Sequence, residues 1–197
     1  MFYKFKIKIL KILNYVLNKL NLSLDTCIES NKIDKIINKL KPHDLGYTLI
    51  RVGSANDGGY LIPDILNEID YCFSPGVGNK TDFEKHLVDK DIKTFLADGT
   101  IEKDNIDLSK FDFLNQNIAS YNSKNTITLQ KWISNKIKKN SNLLLQMDIE
   151  ASEYEVISST PEETLNMFKV MIIEFHYLEK LNNNLIYELF YNTIKKI

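Results

Sequence analysis

The most constraining feature of this chain is an apolar run, Leu143–Met147, that ends at the acids Asp148 and Glu150. A helical pattern begins directly afterwards, at Glu153. A buried strand that stops at carboxylates is typical of an open α/β sheet, whose ligands bind in the cleft at the carboxyl ends of the strands. The segment therefore predicts an enzyme cleft with acidic groups at the edge of its sheet.

Short apolar runs followed by glycine or titratable residues occur at three other places in the sequence. They are residues 71–74 before Gly76 and Gly78, Lys93–Ala97 before Asp98, and residues 170–173 before Glu174 and His176. Helical stretches separate these runs. Strands that alternate with helices favour a parallel sheet covered by helices on both faces, so we predict the α/β class.

Four motifs within this pattern carry a family resemblance. They are residues 51–62, 74–79, 147–153 and 172–176. In this order they resemble the FkbM-type S-adenosylmethionine-dependent methyltransferases, and the Met147-Asp148-Ile149-Glu150 block is the most specific of them. The resemblance implies a Rossmann-like sheet, mostly parallel, with S-adenosylmethionine as the cofactor. It also implies O-methylation of a sugar or another hydroxylated small molecule.

The glycine loop, residues 76–78, carries the cofactor argument because glycine lets the backbone turn sharply and lets a ligand approach closely. The resemblance implies that Gly76, Gly78 and Asn79 pass beneath the methionyl part of the cofactor. It also implies that Asp98 accepts hydrogen bonds from the ribose hydroxyls. Thr81 stands where a G-x-G-x-x-G motif needs its third glycine, which argues against a nicotinamide-dependent oxidoreductase. A glycine turn without a ligand is the remaining alternative.

Arg51 is the only arginine in a chain that otherwise uses lysine. A guanidinium binds a carboxylate or phosphate through two parallel hydrogen bonds, which an ammonium cannot do. We therefore expect Arg51 to bind a cofactor carboxylate, a substrate acid or Asp57. The resemblance places Asp57 and Gly58 beside the cofactor pocket, although residues 56–59 also fit a plain hairpin turn.

Methyl transfer to a hydroxyl requires alignment of the acceptor and a base or metal that removes its proton. His176 suits a base because its unperturbed pKa is about 6.5. A carboxylate such as Asp148, placed directly after a buried strand, is costly unless it is solvated or used. We predict His176, Asp148 and Glu150 as catalytic residues, and Asp148 also as a residue that borders the cofactor.

Other acids near the strand ends have alternative roles. Glu153 and Glu155 are predicted to be helix N-terminal acids favoured by the helix dipole. A divalent cation held by Asp148, Glu174 and His176 is an alternative to a histidine base, because carboxylate oxygens and imidazole are common metal ligands.

Residues 1–44 are predicted to form a helical region ahead of a Rossmann-like domain at residues 45–197. Residues 1–22 fit an amphipathic helix with five lysines and no acid, and residues 23–41 fit a second helix that ends before Pro42. The lysines interrupt the apolar run too often for a membrane span or a signal peptide. The first helix could lie on an anionic membrane surface, or it could pack on its own domain or on a second subunit of a homodimer.

Two positions depart from the family pattern. Ala151 stands where the family usually has glycine, so a positive φ there would cost about 1 kcal/mol. The sequence ends after a predicted helix, Asn184–Lys196, whereas the resemblance implies a further antiparallel strand pair. An uncovered edge would need a partner. A noncatalytic assembly or membrane-docking module is therefore the second hypothesis.

The charge balance bears on partners and location. The formal net charge is -1, so no overall field recruits nucleic acid. Cys27 and Cys72 form no metal or redox motif, which favours a reducing cytoplasmic setting. We expect the partner to be a small-molecule or glycan acceptor.

Overall fold

The computed structural model describes residues 2–21, 27–78, 80–101, 107–137 and 141–197. Its centre is a five-stranded sheet in which every pairing between described neighbouring strands is parallel. In spatial order the strands are β5 (Asp112–Leu114), β4 (Lys93–Ala97), β3 (Tyr71–Pro75), β8 (Leu143–Met147) and β9 (Phe168–Ile173). The predicted α/β class with a Rossmann-like parallel sheet is confirmed.

Helices connect these strands in the order that a parallel sheet requires. They are α3 (Asp82–Val88) between β3 and β4, α4 (Leu129–Lys136) before β8, α5 (Glu153–Ser159) and α6 (Glu162–Leu165) between β8 and β9, and α7 (Asn184–Lys196) after β9. A short parallel pair, β6 (Asn117–Ile118) and β7 (Thr126–Ile127), precedes α4. The bounds of α7 confirm the predicted last helix.

Strand β8 is buried on both faces, which explains its continuous apolar run. Successive side chains of a strand point to opposite faces. Leu143 and Leu145 belong to the apolar cluster that contains Trp132 of α4, whereas Leu144 belongs to the cluster that contains Phe83 of α3. Helices therefore cover both faces of the sheet, and polar groups reach the cleft only where the strands end.

A β-hairpin precedes the sheet and packs on α3. Its strands are β1 (Leu49–Gly53) and β2 (Gly59–Pro63), which pair antiparallel with Arg51 opposite Leu61. Val52 and Ile62 are buried in the same apolar cluster as Phe83. The hairpin-turn interpretation of residues 56–59 is therefore confirmed, and the turn lies next to the start of α3.

The two N-terminal helices differ in how they pack. In α1 (Phe2–Asn18), Phe5 and Ile12 are 65% and 60% exposed. In α2 (Ser30–Lys39), Ile36 is buried against residues of α5 and α7. Helix α2 begins at Ser30, later than predicted, and residues 22–26 of that prediction lie outside the described residues. No helix in the described part of the chain is both long and apolar enough to cross a membrane. Contact of α1 with lipid or a second subunit stays a prediction.

Candidate functional site

The glycine loop passes from β3 to α3 at the carboxyl edge of the sheet. Gly76 has a φ of +81°, and a Cβ added there would lie 1.6 Å from the carbonyl oxygen of Asp148. Gly78 has a φ of +56°, and an added Cβ would meet nothing within 4 Å. Gly76 therefore lets the loop pack directly on the end of β8, while Gly78 leaves open space above the loop.

Two cavities border the glycine loop, and both are lined by Gly76, Gly78 and Asp148. The β4-side cavity, of about 460 Å³, is lined on its far side by residues that include Asp98 and Asn117. The hairpin-side cavity, of about 290 Å³, is lined by further residues: Asp57, Gly58, Tyr60, Val77, Lys80, Phe83, Glu84 and Gln146. A ligand that crosses the glycine loop would therefore contact both cavities and pass Asp148.

Asp98 follows β4 and is buried at the wall of the β4-side cavity. Its Oδ1 accepts hydrogen bonds from the backbone N and the Oγ1 of Thr100, at 2.7 and 2.6 Å. Its Oδ2 accepts a longer one, 3.4 Å, from the backbone N of Gly78. These contacts fix the carboxylate between the glycine loop and the next strand end. The structure thus brings Asp98 together with the glycines, and its binding of ribose stays a prediction.

Arg51 lies on the exposed hairpin and binds the turn of that hairpin. Its Nε donates to the carbonyl oxygen of Ser54 at 2.8 Å and its Nη2 to that of Asn56 at 2.9 Å. Asp57 pairs with Lys80 at 2.8 Å rather than with Arg51. Arg51 lines neither cavity described above, so its binding of a cofactor or substrate stays a prediction. Its two donors satisfy backbone carbonyls that the turn leaves unpaired.

The other predicted cofactor-binding residues of this region are Asp57, Gly58 and Asn79. Asp57 and Gly58 line the hairpin-side cavity. The Lys80 ammonium, by its hydrogen bond and its charge, holds the pKa of Asp57 below its usual range. Both partners are largely exposed, so solvent screens the pair and it contributes little to stability. Asn79 lies outside the described residues.

A carboxylate–histidine cluster stands where β8 and β9 end. Nε2 of His176 lies 3.6 Å from Oδ1 of Asp148 and 3.5 Å from Oε2 of Glu150. On the other side of the ring, Nδ1 lies 3.1 Å from Oε1 of Glu153. The structure therefore brings together all three residues predicted to be catalytic. The hydroxyl of Tyr154 also donates to the backbone carbonyl of His176, which anchors this segment on α5.

Glu153 stands beside the His176 ring, although the sequence favoured a helix N-terminal role for it over a catalytic one. It begins α5, as predicted for a helix N-terminal acid, but its side chain is 0% exposed. Its Oε1 accepts a hydrogen bond from the backbone N of Ile149 at 2.9 Å and faces the His176 ring. The sequence signal for burial is that Val156 and Ile157 follow Glu153 by three and four residues, so a helix places Glu153 on an apolar face.

The electrostatics of the cluster follow from burial and from the crowding of acids. Burial, and then the neighbouring Glu174, raise the pKa of Asp148 to about 6. Burial alone would lower the pKa of His176, but the carboxylates of Glu153, Asp148 and Glu150 outweigh it and raise that pKa. Oδ1 of Asp148 is buried without a hydrogen-bond partner in the described structure. An unsatisfied buried acceptor costs about 1–3 kcal/mol, which a ligand donor at this position would relieve.

One atom each from Asp148, Glu150 and His176 lies within 4.8 Å of the others, so these three residues could hold a metal ion. The predicted cation set contained Glu174 in place of Glu150. Glu174 is exposed beyond β9, and the structure groups Glu150 with the other two residues instead. Exposed acids often form such groups without binding a metal, and the group is therefore only a candidate.

The turn between β8 and α5 holds two adjacent residues in the left-handed region. Glu150 has a φ of +55° and Ala151 a φ of +76°. Ala151, where the family resemblance implies a glycine, thus has the positive φ that is strained for an alanine. This turn aims Glu150 toward His176, and each left-handed residue costs about 1–2 kcal/mol.

The comparisons with known proteins identify a family. The sequence model of the Methyltransferase FkbM domain matches residues 33–193. No curated protein and no solved structure matches the chain. The matched region includes the parallel sheet, the glycine loop and the cluster around His176. Because the match covers most of the sequence, the protein belongs to the FkbM methyltransferase domain family.

Proposed function

We propose that the protein is an S-adenosylmethionine-dependent O-methyltransferase that acts on a sugar or another hydroxylated small molecule. The observation that carries the proposal is Asp148, which borders both cavities and lies 3.6 Å from Nε2 of His176. A titratable base thus stands beside the place where a ligand crossing the glycine loop would meet an acceptor. Membership of a methyltransferase family supports this proposal.

The residues of the β4-side cavity fit the nucleoside end of such a donor. Asp98 offers carboxylate oxygens at the strand end, where ribose hydroxyls could donate to them. Ile118 and Ala119, both buried, supply apolar contact for a flat base. The open space at Gly78 would admit the ligand without a side-chain clash. When bound, S-adenosylmethionine supplies a methyl group on a positively charged sulfur.

His176 would act as the general base toward the acceptor hydroxyl. Glu153 accepts a hydrogen bond from Nδ1–H when that nitrogen carries the ring proton, which leaves the Nε2 lone pair free to take the hydroxyl proton. The imidazolium that results would be stabilised by Asp148 and Glu150, which face Nε2. As the acceptor oxygen gains the methyl group, its proton would pass to His176.

Calorimetric titration with S-adenosylmethionine, S-adenosylhomocysteine and NAD tests the cofactor assignment. We expect the unmodified chain to bind the first two ligands and not NAD. Asp98→Ala should lose at least about tenfold in affinity because a charge-assisted hydrogen bond is lost. Asp34→Ala, on the exposed face of α2, is the matched control and should bind as the unmodified chain does.

Three outcomes would contradict parts of this proposal. A folded chain that binds neither adenosyl ligand would overturn the cofactor assignment. Binding of NAD in their place would favour the oxidoreductase alternative. The noncatalytic module would be favoured if the chain binds S-adenosylhomocysteine tightly but transfers no methyl group from S-adenosylmethionine to any of a panel of sugars and other hydroxylated acceptors.

A further inference from the structure

Glu84 is a buried acid at the wall of the hairpin-side cavity that the base mechanism does not use. It lies in the first turn of α3, its side chain is 3% exposed, and it borders the cavity beside Tyr60 and Phe83. Within the described residues, no cationic side chain forms an ion pair with it. A buried carboxyl without a cation is costly unless it is neutral or meets a ligand.

The contacts of Glu84 fit a protonated carboxyl group. Oγ of Ser74 lies 2.6 Å from Oε1 of Glu84 and 2.6 Å from Oε1 of Gln146. Nε2 of Gln146 donates in turn to the hydroxyl of Tyr60 at 3.2 Å. A single hydroxyl proton serves one of the two oxygens near Ser74, and both contacts are hydrogen bonds when the Glu84 carboxyl is protonated. Burial raises the pKa of Glu84 above its usual range, which favours that form.

The other charged residues that line the hairpin-side cavity do not pair with Glu84, so its carboxyl group can meet a ligand. The ammonium of Lys80 is already paired with Asp57. Of the remaining lining residues, Glu84 and Asp148 carry carboxyl groups, and Asp148 is shared with the β4-side cavity. A cation that enters the hairpin-side cavity would therefore meet an excess of acid.

We propose that Glu84 binds the ammonium group at the amino-acid end of the methyl donor. This inference rests on the proposed function. A donor whose nucleoside lies in the β4-side cavity would extend across the glycine loop, since Gly76, Gly78 and Asp148 line both cavities. Its amino-acid end would then enter the hairpin-side cavity. Glu84 would ionise as the ammonium approaches and would form a charge-assisted hydrogen bond with it.

The test compares two ligands on the full chain and on Glu84→Gln. S-adenosylhomocysteine carries the ammonium, whereas 5′-methylthioadenosine has the same nucleoside thioether without the amino-acid end. Glu84→Gln keeps the size of the side chain and a partner for Ser74. We expect its affinity for S-adenosylhomocysteine to fall about 10- to 100-fold and its affinity for 5′-methylthioadenosine to stay within about twofold. Glu163→Gln, exposed on α6, is the matched control.

The outcomes separate this inference from the proposed function. If the unmodified chain binds neither ligand, the proposed function and this inference both fail. If it binds both, and Glu84→Gln weakens neither or weakens both equally, only the role of Glu84 is overturned. Should Glu84→Gln not fold, Glu84→Asp withdraws the carboxylate from the cavity by one methylene, and the same selective loss is expected. The unmodified chain should also bind a deaminated analogue of S-adenosylhomocysteine about tenfold more weakly than the parent compound.

Discussion

Two helices begin at the cleft, and each buries a glutamate there, but the two glutamates have different partners. Glu84 of α3 and Glu153 of α5 are 3% and 0% exposed. Glu84 follows β3 and Glu153 follows β8, and these two strands are neighbours in the parallel sheet. Glu153 faces His176 and accepts from a backbone N–H. Glu84 instead contacts the hydroxyl of Ser74 and its own backbone N–H.

The same local position therefore has different partners at the two helices. A helix N-terminus tolerates an acid because the dipole and the free N–H groups favour it. What the acid then does depends on the group that the adjacent strand end supplies. At β9 that group is an imidazole, which Glu153 orients. At β3 it is a serine, which leaves Glu84 able to receive a cation from outside the chain.

The largest expected effect concerns the group that Glu153 faces. Once an acceptor supports turnover, His176→Ala should reduce kcat about 10²- to 10⁴-fold because the general base is lost. Its affinity for S-adenosylhomocysteine should stay within about twofold, since Asp98 and the glycine loop are untouched. His43→Ala, an exposed histidine outside the cluster, should retain full turnover. A fully active His176→Ala protein would show that His176 is not the general base.

The glycine loop, which packs on the end of β8, gives the next effect. Gly76→Ala would place a Cβ 1.6 Å from the carbonyl oxygen of Asp148 at a positive φ, so we expect the free energy of unfolding to fall by about 3 kcal/mol or more. Gly78→Ala meets only open space, and its positive φ alone should cost about 1–2 kcal/mol. Urea unfolding of both variants measures the difference. Equal losses would show that the loop does not pack on β8 as described.

A third prediction uses the pH dependence of kcat/KM to test the pairing of Glu153 with His176. His176 must be neutral to accept a proton, so kcat/KM should rise with pH as the imidazolium deprotonates, and its raised pKa places this limb above about pH 6.5. Glu153→Gln removes the largest of the charges that raise this pKa. The limb should therefore move to lower pH, with kcat reduced about tenfold because the ring is less well oriented. Glu163→Gln should leave the limb unchanged.

The raised pKa of His176 also makes the stability of the fold depend on pH. Because the pKa of His176 is raised in the folded state, protonated His176 stabilises the fold fully below about pH 6.5. That contribution is lost as the pH rises through the folded-state pKa. Glu153→Gln should flatten this part of the stability profile. If the stability of Glu153→Gln depends on pH in this range as steeply as that of the unmodified chain, the pairing of Glu153 with His176 is contradicted.

The sequence predicted the parts of the fold that depend on continuous burial. Lys93–Ala97 and Leu143–Met147 are strands because their apolar runs must be covered on both faces, and α7 has the predicted bounds because its apolar side chains recur at helical spacing. The acids after these strands were predicted to meet at one edge, and Asp98 and Asp148 do line one cavity.

The partners of individual polar side chains could not be predicted in the same way. Asp57 was one expected partner of Arg51, but Arg51 binds carbonyl oxygens of its own hairpin because the turn leaves them unpaired. Glu84 was not singled out, although Leu87 and Val88 follow it by three and four residues, since a glutamate in a helix is usually solvated. Which acid is buried depends on how the helix packs on the sheet, and that is a tertiary property.

The smallest effect concerns the strained turn that carries Glu150 toward His176. Ala151 has a φ of +76°, so Ala151→Gly should raise the free energy of unfolding by about 1 kcal/mol. Ala119→Gly, at a buried alanine that does not have a positive φ, should lower it by a similar amount because glycine gains more freedom on unfolding. Urea unfolding of the two variants gives opposite signs if the turn is strained. A destabilised Ala151→Gly would mean that packing of the Ala151 methyl group on the apolar cluster that contains Tyr154 and Phe190 outweighs the backbone strain. The position of Glu150 would then be set by packing.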